Sequence, residues 1–251
     1  MSKATNTVKK SSVMDFTTKW GTLLTIAVML IVFSITMPTF MTASNMITII
    51  RAVCIVTVIA TGMTISLTVN GLDLSVGSTA TFANTVCMTF FVWYSFGNST
   101  GGMLLSILLT MIICTVIAGI NALLIVKLKI PDMLATLSTM FMFEGVAMTY
   151  AGGGAINENM LRPDGTTATG KVPDLFREIG KEPWIIILML VLVFLVFLFL
   201  TYTKHGRYMY AVGGNPEAAR LSGINVNKYR ALAYFMSTIL ASIGGMLIGA
   251  R

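Results

Sequence analysis

Apolar runs of membrane-spanning length alternate with short polar stretches along almost the whole chain. They cover residues 20–37, 46–69, 75–96, 103–126, 133–150, 184–202 and 229–250. Each approaches the roughly 20 residues a helix needs to cross about 30 Å of hydrocarbon. The pattern predicts an all-α, polytopic transmembrane helical bundle of about seven spans. Residues 1–19 form a basic tail and residues 20–251 the membrane domain. The sixth run, "WIIILMLVLVFLVFLFLTY", is the clearest, with Trp184 and Tyr202 where interfacial aromatic belts lie. Pro38 closes the first run, and no small-residue cleavage site follows that run, so it reads as an uncleaved span.

Composition strengthens this reading. Of the 251 residues 55% are hydrophobic and 11% charged, and the mean hydropathy is +0.83, far from a soluble domain. The net charge of +7 is spread in short clusters between apolar runs, which points to membrane orientation rather than nucleic acid. Lys3, Lys9, Lys10 and Lys19 in the tail, Lys127 and Lys129 after the fourth run, and Lys204, His205 and Arg207 after the sixth place the N-terminus and these loops in the cytoplasm. Residues 203–228 then lie inside and 152–183 outside. The outer segment, rich in Gly, Thr, Asp and Glu, is either a contact surface for a soluble partner or a solvated connection.

Candidate chemistry is sparse. Cys54, Cys87 and Cys114 sit in apolar runs without a CxxC or His-spaced partner, and His205 is the single histidine, so no metal site is expected. No GxxxxGK[ST] phosphate loop, HExxH or GxSxG occurs, so neither ATP binding by this chain nor hydrolytic catalysis is expected. Polar residues within the membrane zone therefore carry the interest. "TVNGLDLSVGS" interrupts two runs with Asn70, Asp73 and Ser75. It reads as a turn with a cap for the next helix, or as a broken helix facing an internal pathway. Both can hold. Glu144 in the fifth run needs a partner or a cavity, and Arg51 is a candidate partner. Asn121, with Ala118 and Gly119, reads as a helix-packing position.

"GGNPEAARLSGI" lies within the polar, helix-capped stretch of residues 211–230. Asn215 suits an N-cap, Pro216 the first helical position, Glu217 the positive end of the dipole and Gly223 a left-handed stop. A helix of about two turns frays alone in water. It needs a surface to dock on.

Three stretches together carry a resemblance: "GRYMYAVGGNPEAARLSGINV", "NGLDLSVGS" and "IPDMLATLSTMFMFEGVAMTYAGG". With them the chain, over most of residues 20–251, resembles the permease subunits of bacterial ABC importers for ribose and other simple sugars. The resemblance implies a subunit of the cytoplasmic (inner) membrane that is not an enzyme and imports a ribose-, galactose- or xylose-like sugar. It implies partner ABC ATPase subunits holding ATP and Mg, a second permease copy or paralogue, an extracytoplasmic sugar-binding protein, surrounding lipid, and no cofactor on this chain. Residues Gly213, Gly214, Asn215, Pro216, Glu217, Ala218, Ala219, Arg220, Leu221, Ser222, Gly223 and Ile224 become the coupling helix, while Asn70, Asp73, Ser75 and Glu144 line the substrate pathway. Members of that family continue with further spans, so the chain reads as the N-terminal part of a longer permease. The competing class is an ion-coupled secondary transporter of a small polar solute, which a broken helix and an intramembrane acid also suit.

Overall fold

A computed structural model describes residues 3–162 and 164–250, with side chains from Lys19 onward. The side chains of Lys3, Lys9 and Lys10, and the final Arg251, lie outside the described residues. The chain forms two compact units, Met1–Ile50 and Arg51–Arg251.

The first unit is dominated by α1, Lys3–Thr36, so the segment read as a tail is already helical from its third residue. Leu23, Val28, Ile31 and Ile35 on it are exposed. Pro38 stops it as expected, because proline disfavours helical geometry in the residue before it. Phe33 and Phe40 then pack with centroids 5.7 Å apart, and the Asn45 amide donates to the Phe40 carbonyl (2.8 Å) as α2, Ala43–Thr68, begins.

Among the described residues the second unit holds the rest of α2 and eight further α-helices. α3 is Val76–Met88, prolonged by a π-helical turn Thr89–Trp93; α4 is Thr100–Ala122, prolonged by a π turn Leu123–Lys127; α5 is Asp132–Tyr150. Next come α6, Asp174–Ile179, α7, Trp184–Tyr202, α8, Lys204–Gly214, α9, Pro216–Leu221, and α10, Val226–Gly249. Among the described residues there is no extended sheet, only one isolated bridge between Leu161 and Thr167. Local chemistry sets several starts. Ser99 accepts from Gly102 N–H (3.0 Å), Thr203 from Gly206 N–H (3.1 Å) and Asn225 from Lys228 N–H (3.0 Å), each satisfying a donor that a helix start leaves free.

Five helices among the described residues are long and apolar enough to cross a membrane: Lys19–Thr36 of α1, Ala43–Thr68, Thr100–Lys127, Trp184–Tyr202 and Val226–Gly249. The third and fifth predicted runs form helices too, but α3 is short and rich in Ser, Thr and Gly, and α5 carries Asp132 and Glu144. Neither had to be apolar all round, because each is partly wrapped by protein. α3 packs on α10 and α5, and α10 lies against α3 and α4. Gly245 allows that approach, since a Cβ there would overlap the Ala80 carbonyl.

Two apolar clusters mark the ends of this unit. One joins Val69 at the end of α2 and Leu200 at the end of α7 to Met209, Val212, Ala219 and Tyr229. The other joins Met88, Phe91 and Trp93 to Ile156, Ala168 and Phe176 from the segment after α5. Phe176 meets Phe91 edge-on at 4.9 Å, and Gly170 N–H donates to the Val92 carbonyl (3.2 Å). That polar segment is therefore a folded cap over the bundle end, not a free connection. Its Glu158 accepts from Val172 N–H (2.7 Å) and pairs with Arg177 at 2.6 Å.

Candidate functional site

α9 is the stretch with the strongest local specification. Asn215 is extended (φ −154°), and its side-chain oxygen accepts from both Glu217 N–H and Ala218 N–H at 3.0 Å. Gly223, at φ +77°, makes the left-handed stop that a side chain would strain. Ala219 is buried and Ile224 half-buried in the apolar cluster at this end, which supplies the docking that two turns of helix need. Glu217, Ala218, Arg220, Leu221 and Ser222 face outward. Glu217 and Arg220 pair only loosely, 3.5 Å apart and largely exposed, and Leu221 is 90% exposed.

Gly213 and Gly214 are placed differently from the expectation of one helix starting there. They end α8, an amphipathic helix that the reading of 203–228 as a loop missed. The signal was present in Thr203, a cap residue just before "KHGRYMYAV". Gly213 lies so close to the Thr68 carbonyl that a Cβ would overlap it, which ties α8 to the end of α2.

Of the four predicted pathway residues, the fold brings two together. Asp73 and Ser75 are fully buried. Ser75 donates from both N–H and Oγ to Asp73 Oδ1 (3.0 and 2.6 Å), and Ser237 of α10 donates to Asp73 Oδ2 (2.8 Å). Asn121 of α4 donates to Ser75 Oγ (2.9 Å) and accepts from Thr139 of α5 (2.7 Å). One turn thus binds α4, α5 and α10 through side chains, in a region where an unpaired polar group is costly. The turn reading of the motif holds, with Asn70 left-handed at φ +55°, and its irregular backbone is sheltered by protein.

The other two lie elsewhere. Asn70 is exposed and lines a cavity of about 490 Å³ beside Pro216 and Arg220 of α9. Glu144 is half-buried on α5 and has no ion-pair partner among the described residues. The suggested Arg51–Glu144 pair is not formed. Arg51 Nε instead donates to Glu182 at 2.7 Å, and that bond holds the Glu182 carboxyl below the usual range. Sequence distance hid the pairing, since 131 positions separate the partners.

Asn121, read as a packing position, is a hub of the buried cluster. Its signal was a lone amide inside an apolar run. Asp132, Thr136, Thr139, Arg230, Tyr234 and Ser237 were missed as well. No group of three or more His, Cys, Asp or Glu able to hold a metal occurs among the described residues.

This geometry, a buried polar hub beneath a docked, outward-facing short helix, suits a transport subunit, and comparison with known proteins bears on it directly. The family model described as branched-chain amino acid transport system / permease component matches residues 45–251. The chain belongs to that family. As a member of this permease family it is a transport component and not an enzyme. It is 31% identical over 229 residues to the ribose import permease protein RbsC of Haemophilus influenzae, covering 89% of this chain and 66% of that protein. It is 29% identical over 245 residues to RbsC of Escherichia coli, covering 94% and 72%. To the galactose/methyl galactoside import permease protein MglC of Escherichia coli it is 28% identical over 254 residues, covering 97% and 74%. The chain thus spans about two thirds to three quarters of the length of these relatives. Their names lend nothing to an ion-coupled mechanism. No solved structure matches the chain.

Proposed function

We propose that this permease is the membrane-spanning subunit of an ATP-driven ABC importer for a simple sugar, and that α9 is the surface on which a cytoplasmic ATPase subunit acts. The single observation that carries the ATPase contact is α9 itself. It is capped at both ends and fixed by Ala219; its Glu217 and Arg220 pair only with each other among the described residues, and Leu221 is exposed.

Sugar is favoured over an amino acid because the relatives are named for ribose and galactose import. Seven crossings account for the grouping of the ends. The 70–75 turn, the 127–132 connection and 203–228 share one end; the 94–99 connection and 151–183 share the other. Lys127, Lys129, Lys204, Arg207, Arg220, Lys228 and Arg230 gather at the first end, where among the described residues Asp73, Asp132 and Glu217 are the acids, an excess of basic charge that suits the cytoplasmic side. With the N-terminus also cytoplasmic, the protein is a multi-pass subunit of a bacterial inner membrane. A second permease, paired ATPases carrying ATP and Mg, and an extracytoplasmic sugar-binding protein complete the assembly. Asn70, Asp73, Ser75 and Glu144 border the pathway in this reading, and Asp73 and Ser75 are buried in the present conformation.

The test is co-purification of the ATPase with the detergent-solubilised permease. Leu221→Glu, a change at a solvent-facing position, is expected to leave the amount of permease unchanged and abolish recovery of the ATPase. Undiminished recovery with normal stimulation of ATP hydrolysis would remove α9 as the contact.

A further inference from the structure

The turn at Gly71 to Ser75 is gripped from two sides by residues at helical spacing. On α5, Asp132, Thr136 and Thr139 succeed one another at intervals of four and three and so share a face. On α10, Arg230, Tyr234 and Ser237 do the same. Tyr234 donates to Asp132 Oδ2 (2.6 Å) and Arg230 to Asp132 Oδ1, closing the two ladders on each other at their cytoplasmic ends. Gly71 lies against that closure: a Cβ there would fall 2.7 Å from the Tyr234 hydroxyl and 2.9 Å from Asp132 Oδ2. One turn of helix further in, the Thr136 hydroxyl accepts from Leu74 N–H (3.2 Å) and lies 3.1 Å from the Leu72 carbonyl. Further still, Ser237 holds Asp73 and Thr139 holds Asn121. Every residue of the turn but the glycine is thus bonded to one ladder or to a residue that is.

The outer end of this arrangement adjoins α9. Only Ser222 to Asn225 separate α9 from α10, and the Asn225 side chain caps α10, so tilting α9 displaces the turn of helix that carries Arg230. The cavity of about 490 Å³ has Pro216 and Arg220 on one wall and Asp132 and Arg230 on another, which leaves room for that displacement. The bond most exposed to it is also incompletely satisfied. Arg230 Nε is buried without an acceptor among the described residues, so the guanidinium can gain an acceptor by rearranging.

We infer that the Asp132 contact with Arg230 and Tyr234 is a positioning clamp that carries movement of α9 to the Asp73 turn, and that its release opens the pathway there. The inference rests on the importer reading above for the meaning of that movement. The clamp itself does not.

Two measurements separate these. In the purified chain, hydrogen–deuterium exchange is followed at the amides of Leu72 to Ser75. Asp132→Asn and the shape-preserving Tyr234→Phe are each expected to speed exchange there by at least about fivefold while the amides of α7 are unmoved, the size of an ordinary coupling. Unchanged exchange in Tyr234→Phe would overturn the clamp even if Asp132→Asn failed to fold. In vesicles holding the full transporter with its ATPase and binding protein, uptake of radiolabelled ribose is then divided by ATP hydrolysed. The variants are expected to hydrolyse ATP while uptake per ATP falls at least about fivefold, and the exchange of charges, Asp132→Arg with Arg230→Asp, to restore part of it. An equal fall in uptake and hydrolysis, or unaltered uptake per ATP, would reduce Asp132 to a structural residue. Absence of ATP-dependent ribose uptake by the parent would instead strike the importer reading for ribose, and the exchange result would still decide the clamp.

Discussion

α7 and α10 are both long enough to cross a bilayer, yet three of the 19 residues of α7 are buried against thirteen of the 24 in α10. α7 is apolar around its whole circumference; α10 carries Ser237, Thr238, Ser242, Gly244, Gly245 and two tyrosines. In a soluble protein the more apolar helix would be the core. Here lipid solvates α7 as well as protein would, so apolarity brings no gain from burial, and the interior goes to the helix whose small and hydroxyl side chains permit close packing and hydrogen bonds. The small and polar residues of a membrane protein are therefore a better guide to its centre than the large apolar ones.

Substitutions at matched depth on the two helices test this contrast. The largest effect is expected from Gly245→Val, which drives a branched side chain into the Ala80 backbone and costs about 3 kcal/mol of stability. Thermal unfolding of the purified protein in detergent measures it, and retention of the parent transition would refute the tight α3–α10 contact. Ser237→Ala ranks next. It leaves Asp73 Oδ2 without its donor, an expected loss of about 1–3 kcal/mol read from the same melts, with Asn121→Ala additive to it only if the buried cluster is not a single network. On α7, Leu190→Ala or Phe194→Leu, both at exposed positions, should shift stability by less than about 0.5 kcal/mol. A loss as large as that in α10 would mean α7 is covered by protein.

The smallest effect concerns the approach to α7. The Arg51 bond lowers the Glu182 carboxyl pKa, so its stabilisation is present above the unfolded value of about 4.3 and is lost as pH falls through the lower folded value. The difference in melting temperature between parent and Glu182→Gln should accordingly be greatest near neutrality and vanish in acid. A difference that persists below that range would exclude the ion pair as its source.

Much of the local structure was legible. Asn215, Pro216 and Gly223 announced α9, Pro38 announced the end of α1, and the Asn70 turn followed from its Asn-Gly pair. α8 was legible and overlooked, because "KHGRYMYAV" is polar enough to pass for a loop when only apolar runs are counted. The two π turns and the packed cap at 151–183 had no comparable signal, since Phe176 and Ile156 look like stray apolar residues until Phe91 is seen beneath them. The hub at Asn121 was visible as a polar residue in an apolar run, but its pairing with Ser75 of the turn and Thr139 of α5 was not.

By itself the sequence determined that the chain folds as helices in a bilayer and where a short capped helix interrupts them. These properties follow from hydrophobic length, capping and backbone preference, all of which act within a few residues. Which helix occupies the interior, that Asp73 meets Ser237 and Asn121, that Asp132 meets Arg230 and Tyr234, and that Arg51 takes Glu182 instead of Glu144 were decided only by the tertiary structure. Such pairings depend on which helix faces become neighbours, and where lipid is as apolar as a protein core the hydrophobic pattern does not distinguish a face turned to one from a face turned to the other.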